Sequence, residues 1–238
     1  MDTFDIGDVV RATQAGQRLS ARASLVDDVH GALLDMLMNH NVAPGARLNI
    51  DALARGLGVS PTPVREALAR MEAEGLVLKE PRRSYTVAPL IGLDDLRALI
   101  DFRLMIEPAA AAAAARHATA EQATALEAFA ESGGAGHQDA TANRLDMIYD
   151  ATFHDTVAQL GGNPWLRDAL ARLRSHLHMY RLYHHAGQAA ATKPEHVTIA
   201  KAVATRDPDA AADAMRAHLT TAMKRIDDVF AGDRDLGA

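Results

Sequence analysis

The stretch LGVSPTPVREALARMEAEGLV, Leu57 to Val77, sets two prolines at the mouth of what otherwise reads as one amphipathic helix. Pro61 suits the first helical position, where a missing N–H costs no hydrogen bond, and Ser60 before it suits the cap, its hydroxyl accepting backbone N–H bonds. Val64, Leu68, Met71 and Leu76 recur at helical spacing and hold the helix against its neighbours. Thr62 and Arg65 lie near the start on the other face, with Arg70 further along it. A preorganised helix start of this kind is where the recognition helix of a helix-turn-helix meets DNA, and an arginine there can fork onto guanine O6 and N7 or clamp a phosphate.

Working outward, SLVDDVHGALLDMLMNH carries a helical stripe at Leu25, Val29, Leu33, Leu34 and Leu37, stopped by APG at 43–45. A short helix follows through Asp51 to Arg55, then the GLGVS turn and the recognition helix. LVLKE and YTVAP alternate around PRRS as a small hairpin does, and Arg82 and Arg83 crown its tip. Three helices and a hairpin within about 65 residues make a winged helix-turn-helix. Its candidate DNA contacts are Ser60, Thr62, Arg65, Arg70, Arg82 and Arg83.

Beyond the junction APLIG at 88–92 the pattern is helical throughout. Asp94 or Asp95 can cap a helix that runs past Pro108, which should bend it, into seven alanines at 109–115. Thr119 with Gln122 reads as a capping box, and residues 139–160 as a long helix closed by Gly161 and Gly162. NPW and DPD set cap residues before Pro164 and Pro208, each opening a further helix. The expected fold is therefore mainly α: the winged helix-turn-helix, then an antiparallel bundle of about six helices. The expected divisions are an extension over 1–23, the DNA-binding domain over 24–88, a linker over 89–95, the helical domain over 96–231 and a tail over 232–238.

Cysteine is absent, which removes disulfides, thiolate metal sites and cysteine nucleophiles, and fits a reducing cytoplasm. No apolar run approaches the roughly 20 residues of a membrane helix, and the opening MDTFDIGDVVRATQAGQ is acidic, unlike a signal peptide. The expectation is a cytoplasmic protein with no membrane partner. The formal charge of -6 is unevenly spread: residues 43–90 carry seven Lys and Arg against five Asp and Glu, and residues 91–238 carry fifteen against twenty. Two modules with different partners have this signature.

In the second module Asp150 and His154 stand four apart, so one helix face presents both to a single ion. His196 keeps register with Ile199, Ala200 and Val203, and His218 sits beside Met215 and Ala222. Three imidazoles and a carboxylate from three inward faces suit one zinc, nickel or manganese ion per chain; a set of hydrogen-bonded core histidines is the alternative reading.

The segments APGARL (43–48), LARGLGVSPTPVREALARMEAEGLV (53–77) and PRRSYTV (81–87) resemble the GntR family of bacterial winged-helix transcription regulators. In that family the turn before the recognition helix commonly reads Ser-Arg-Thr-Pro and its arginine contacts DNA; here Pro61 stands in that place. Asp51 occupies a position that is often basic, and Ser84 replaces the usual wing glycine. These departures leave the fold expectation intact and point away from the family's usual operator sequence. Residues 96–230 resemble the all-helical ligand-binding (FCD) domain of the FadR-type branch, through Arg103 and Glu107, Asp150 and His154, Gly162 to Pro164, Glu195 and His196, and Met215 and His218.

The resemblance implies metal binding by Asp150, His154, His196 and His218, with zinc first among the candidates. It also implies a small organic acid as effector and a regulator, expected to be a repressor, acting as a homodimer on palindromic double-stranded operator DNA. Arg103 is then a candidate countercharge for the acid, and Glu107, Asn163, His176 and Tyr180 are further candidate effector contacts. Three alternatives stay open: a metal-free regulator using the same pocket, a metal-dependent helical enzyme acting on an organic acid, and an adaptor whose winged helix binds protein partners and not DNA. Against the enzyme, a winged helix has no task in one, and no glycine-rich phosphate loop or serine nucleophile elbow is present.

Overall fold

The stripe that begins at Leu25 forms α1 (Leu25–Met38), and a computed structural model of the chain describes residues 25–39, 41–80, 84–133, 142–181 and 188–235. The chain divides into two compact units, residues 1–90 with 139–144, and residues 91–138 with 145–238.

In the first unit α1 is followed by β1 (Arg47–Leu48), α2 (Ile50–Leu57), α3 (Pro61–Ala73), β2 (Val77–Glu80) and β3 (Ser84–Val87). Asn49 caps α2, its side chain accepting from the Ala52 N–H. Gly58 closes it in the left-handed region at φ 69°, where a side chain would be strained, and this makes the turn into α3. Pro63, Val64, Ala67, Leu68 and Met71 are the buried face of α3, while Thr62 and Arg65 are exposed.

Ser60 does take the cap position, but its side chain makes no capping hydrogen bond. Of the two usual donors, the N–H groups of the second and third helical residues, Pro63 removes the third, and only that of Thr62 remains. The hairpin forms with Val77 opposite Val87 and Glu80 opposite Ser84. A third strand, unforeseen, joins it: Arg47 pairs with Thr86 and Leu48 with Tyr85, so the sheet order is β1-β3-β2. Arg82 and Arg83 lie outside the described residues.

A partly buried polar cluster ties α1 to the end of α3. The His30 ring donates from Nε2 to Glu74 Oε2 at 2.7 Å, and Arg70 donates to Glu74 Oε1 at 3.2 Å and to Asp27 Oδ1 at 3.0 Å. Burial by itself raises the Glu74 carboxyl, but the hydrogen bonds and charges of His30 and Arg70 outweigh it and hold the group below its ordinary 4.5. A carboxyl depressed in the folded state stabilises above its unfolded-state value and loses that contribution as pH falls through the window below it. Melting curves taken from pH 6 down to about pH 3 should therefore fall more steeply for the wild type than for Glu74→Gln.

The second unit is built from α4 (Leu93–His117), α5 (Ala120–Ser132), α6 (Ala142–Leu160), α7 (Pro164–Leu173), α8 (Ser175–Tyr180), α9 (Gln188–Ala204) and α10 (Pro208–Asp235). These helices fit the expected bundle of about six, with the short α8 as an addition. The Thr119 and Gln122 capping box is present in both directions, and Asn163 and Asp207 cap α7 and α10 as their prolines require. Gly92, not Asp94 or Asp95, is the cap of α4; the two acids fall in its first turn, where they favour the positive helix end. The helix assignment continues unbroken through Pro108, and α10 runs past residue 231 to Asp235.

Phe153, Leu126, Ile199, Met215 and Leu219 centre the core of this unit, with Ala111 and Ala114 letting α4 approach closely. Full burial of each large apolar side chain stabilises by about 1.5–3 kcal/mol. That core holds the faces of α6, α9 and α10 that carry the candidate ligands. Among the described residues no helix is long and apolar enough to cross a membrane.

Candidate metal centre and nucleic-acid interface

Packing α6, α9 and α10 around Phe153 brings Asp150, His154, His196 and His218 together, all buried, with one ligand atom from each lying within 4.8 Å of the others. Asp150 Oδ1 is 3.8 Å from His154 Nε2 and 3.6 Å from His196 Nε2. The His196 ring stacks on Phe153 at 4.1 Å between centroids.

The outward nitrogen of each ring is engaged, which sets the tautomer. His154 donates from Nδ1 to Glu107 Oε2 at 2.5 Å, and His218 donates from Nδ1 to Glu195 Oε2 at 2.7 Å. Glu195 is braced in turn by both Nη atoms of Arg225, at 2.7 and 3.1 Å. His196 Nδ1 lies 3.3 Å from the Tyr149 hydroxyl, which donates to the Ala130 carbonyl at 3.0 Å. Tyr149 can sit there because residue 133 is glycine: a Cβ at Gly133 would stand 2.0 Å from the Tyr149 ring.

With the Nδ1 protons outward, the Nε2 lone pairs of His154 and His218 face each other at 3.2 Å, and His196 Nε2 is buried with no hydrogen-bond partner. Lone pairs converging in a dry interior are repulsive unless a cation or a proton lies between them. Protonation is opposed, since burial pushes His196 and His218 down, with the neighbouring imidazoles pushing the same way and Glu195 pulling His218 partly back. Neutral imidazoles, a carboxylate and tautomers fixed from outside form the donor set of a divalent transition metal.

Arg103 and Glu107, both buried on α4, pair with each other. Burial raises the Glu107 carboxyl, yet the Arg103 charge and the hydrogen bonds from His154 and Arg103 more than reverse this and hold it well below the usual carboxylate range. Each Glu107 oxygen thus accepts from a protein donor, which lets this residue orient His154. Glu195 is likewise held at about 2, burial being outweighed by hydrogen bonds from His218 and Arg225.

A cavity of about 330 Å³ opens beside the cluster, lined by Arg103, Asp150, Thr152, His154 and Ser175 among others. Asn163 is not in its lining; its Oδ1 accepts the Trp165 and Leu166 N–H groups at 3.1 and 3.2 Å, so it is a helix cap. His176 and Tyr180 belong to α8, whose Ser175 borders the cavity, but their side chains lie outside the described residues. The positioning residues Tyr149, Glu195 and Arg225 were not singled out as such from sequence; Glu195 stood beside His196, while nothing local marked the other two.

In the first unit a cleft of about 440 Å³ is lined by Arg47, Asn49, Asp51, Arg65 and Ser84 with Leu48 and Ile50. The arginine of the recognition helix thus shares one concavity with the start of a wing strand and with Arg47, which sequence reasoning passed over. Pairing of β1 with β3 is what carries Arg47 there. Arg70 is not on this face: five residues on from Arg65 it points about 140° away, and its guanidinium is committed to Asp27 and Glu74.

An exposed arginine at the head of a winged helix, in a chain whose other unit is an all-helical domain, defines a DNA-binding transcription regulator. Residues 25–87 match the family of bacterial regulatory proteins, gntR family, and residues 98–221 match the FCD domain; the chain belongs to this family. The chain is 26% identical over 191 residues to the uncharacterized HTH-type transcriptional regulator YdhC of Bacillus subtilis (strain 168), covering 79% of this chain and 85% of that protein. It is 27% identical over 250 residues to the HTH-type transcriptional repressor NanR of Salmonella newport (strain SL254), covering 93% and 94%. The solved structure of E. coli McbR/YncC shares the fold, with a TM-score of 0.62 at 21% identity over 88% of this chain and 99% of that one. A GntR regulator from Rhodococcus sp. RHA1 does so with 0.59 at 22%, over 86% and 98%. The matched families and relatives are transcription regulators, so the helical enzyme weighed from sequence is set aside.

Proposed function

We propose that this regulator is a cytoplasmic repressor that binds a palindromic operator as a homodimer and answers to a small carboxylic acid bound beside a divalent metal. The observation that carries the metal is the orphaned His196 Nε2 among converging lone pairs. Asp150, His154, His196 and His218 are the ligands, zinc the first candidate with nickel or manganese as others, and the ion supplies a positive centre for a carboxylate. Repression is supported by the name of the relative NanR.

The acid's place is the 330 Å³ cavity, a size suited to a small metabolite. Arg103 lies on its wall and is held by Glu107, with Nη2 3.4 Å from the His154 ring nitrogens, so the carboxylate meets a fixed guanidinium. Through Glu107 the same pair orients His154, and an acid drawn to Arg103 therefore also acts on a ligand's anchor. On the DNA side Arg65 is the base-reading contact, Thr62 and the unspent Ser60 hydroxyl lie beside it at the helix mouth, Arg47 joins it in the cleft, and Arg82 and Arg83 reach phosphate or minor groove.

The test is reciprocity. A panel of small mono- and dicarboxylic acids is titrated calorimetrically into the protein with and without operator, the operator having been selected from random DNA. Coupling of about 1–3 kcal/mol should change acid affinity by the same factor as the acid changes operator affinity, and Arg103→Ala should weaken acid binding. An acid that binds tightly with identical affinity in both titrations would rule this pocket out as the switch.

A further inference from the structure

Ala98, Phe102, Met105, Ala109 and Ala112 follow one another along α4 at steps of four, three, four and three residues, the spacing of a seam between two paired helices. The face is open: Phe102 is 39% and Met105 74% exposed, Ala98 and Ala109 are exposed and Ala112 half-buried. The opposite face of the helix, with Leu96, Ile100, Ala111 and Ala114, is buried in the bundle, where α10, α9 and α7 pack against it. The seven-alanine run thus serves both sides, Ala110, Ala111, Ala114 and Ala115 inward and Ala109 and Ala112 outward. α7 lies alongside through Leu166 and Leu170 on Ile106 and Ala110, and its Trp165, 81% exposed, widens the apolar surface. A helix with two apolar faces, only one of them satisfied within its own unit, has a second partner.

We propose that this partner is α4 of a second copy, packed antiparallel with the two-fold axis at Met105. The proposal rests on the homodimeric reading above and names its interface. Size and charge select the register. With the axis at Met105, Ala98 stands level with Ala112 of the partner subunit and Phe102 lies one residue, about 1.5 Å, off level from the small side chain of Ala109 of the partner subunit, while the two methionines meet on the axis. At each end Asp94, whose side chain is 99% exposed and met within its own helix only by Arg97 at 3.6 Å among the described ion pairs, comes level with Arg116 of the partner subunit; Arg116 is exposed and makes no ion pair among the described residues. A parallel pairing would set Phe102 beside Phe102 and like charges together at both ends, and would align the two helix dipoles instead of opposing them. The contact is isologous, as a closed two-fold dimer requires.

The chain has no cysteine, so engineered thiols report the register directly. Met105→Cys should form an intermolecular disulfide with itself on mild oxidation. Ala98→Cys alone should not, but should cross-link when mixed with Ala112→Cys. In sedimentation equilibrium Met105→Glu, a change at an exposed site that leaves the bundle folded by circular dichroism, should weaken dimerisation about tenfold or more by setting two carboxylates on the axis. Asp94→Arg should weaken it less, and Arg116→Asp added to Asp94→Arg should restore it. A dimer of undiminished affinity in Met105→Glu, or a dimer in which Met105→Cys fails to cross-link, overturns this interface and leaves the homodimeric reading standing. A wild type that is monomeric when bound to operator overturns both.

Discussion

If the proposed divalent ion is bound, treating the purified protein with a chelator should lower the melting temperature of the helical unit by about 10 °C, and adding zinc back should restore it. The size follows from mass action: a ligand at 100 to 1,000 times its dissociation constant stabilises the native state by about 2.7–4.1 kcal/mol, and about 1 kcal/mol moves the midpoint by about 2–4 °C in a chain of this size. His196→Ala abolishes the response. Its baseline stability also falls, because the ring stacks on Phe153, so the decisive quantity is the shift on adding metal and not the midpoint itself. Zinc, nickel and manganese are tried in turn, and elemental analysis accompanies the melts. No metal by analysis together with no thermal response to any of the three would leave a cluster of hydrogen-bonded core histidines.

Arg65→Ala loses about 1–3 kcal/mol of operator affinity, roughly five- to 150-fold, with the fold intact. The side chain is exposed at the head of α3 and in the cleft with Arg47, so its removal leaves no cavity in the core. Arg65→Lys separates recognition from charge: it keeps the cation but loses the fork, and should retain non-specific binding while losing discrimination. Arg70→Ala is the internal control. Its ion pairs to Asp27 and Glu74 involve a half-exposed guanidinium, and their loss costs less than about 1 kcal/mol of stability, with little effect on operator affinity. Equal losses for Arg65→Ala and Arg70→Ala would mean that both act through general charge and that the recognition helix is docked otherwise than proposed.

The local alphabet of helix ends was legible in the residues alone. Pro61 after Ser60, Thr119 with Gln122, Asn163 before Pro164 and Asp207 before Pro208 each mark a helix start, because capping and proline preferences act within a few residues. Helical periodicity likewise determined that Asp150 and His154 share a face and that His196 and His218 point inward. Tertiary structure decided whatever depends on a partner far along the chain. Two residues at Arg47 and Leu48 have no strand signal of their own, and become a strand because β3 offers an edge. Arg70 is indistinguishable from Arg65 by sequence pattern, and only the fold brings Asp27, 43 residues away, to its guanidinium. Ser60 holds the cap position without a capping bond, Pro63 having removed one of its two usual donors. Only packing sets Arg103 on one Glu107 oxygen and His154 on the other, a pairing that no local pattern announces. The amino-acid sequence determined which side chains face inward, a matter of periodicity; only the packing of α4, α6, α9 and α10 decided which inward nitrogen each imidazole turns to its neighbours, because that choice belongs to the partner behind the ring.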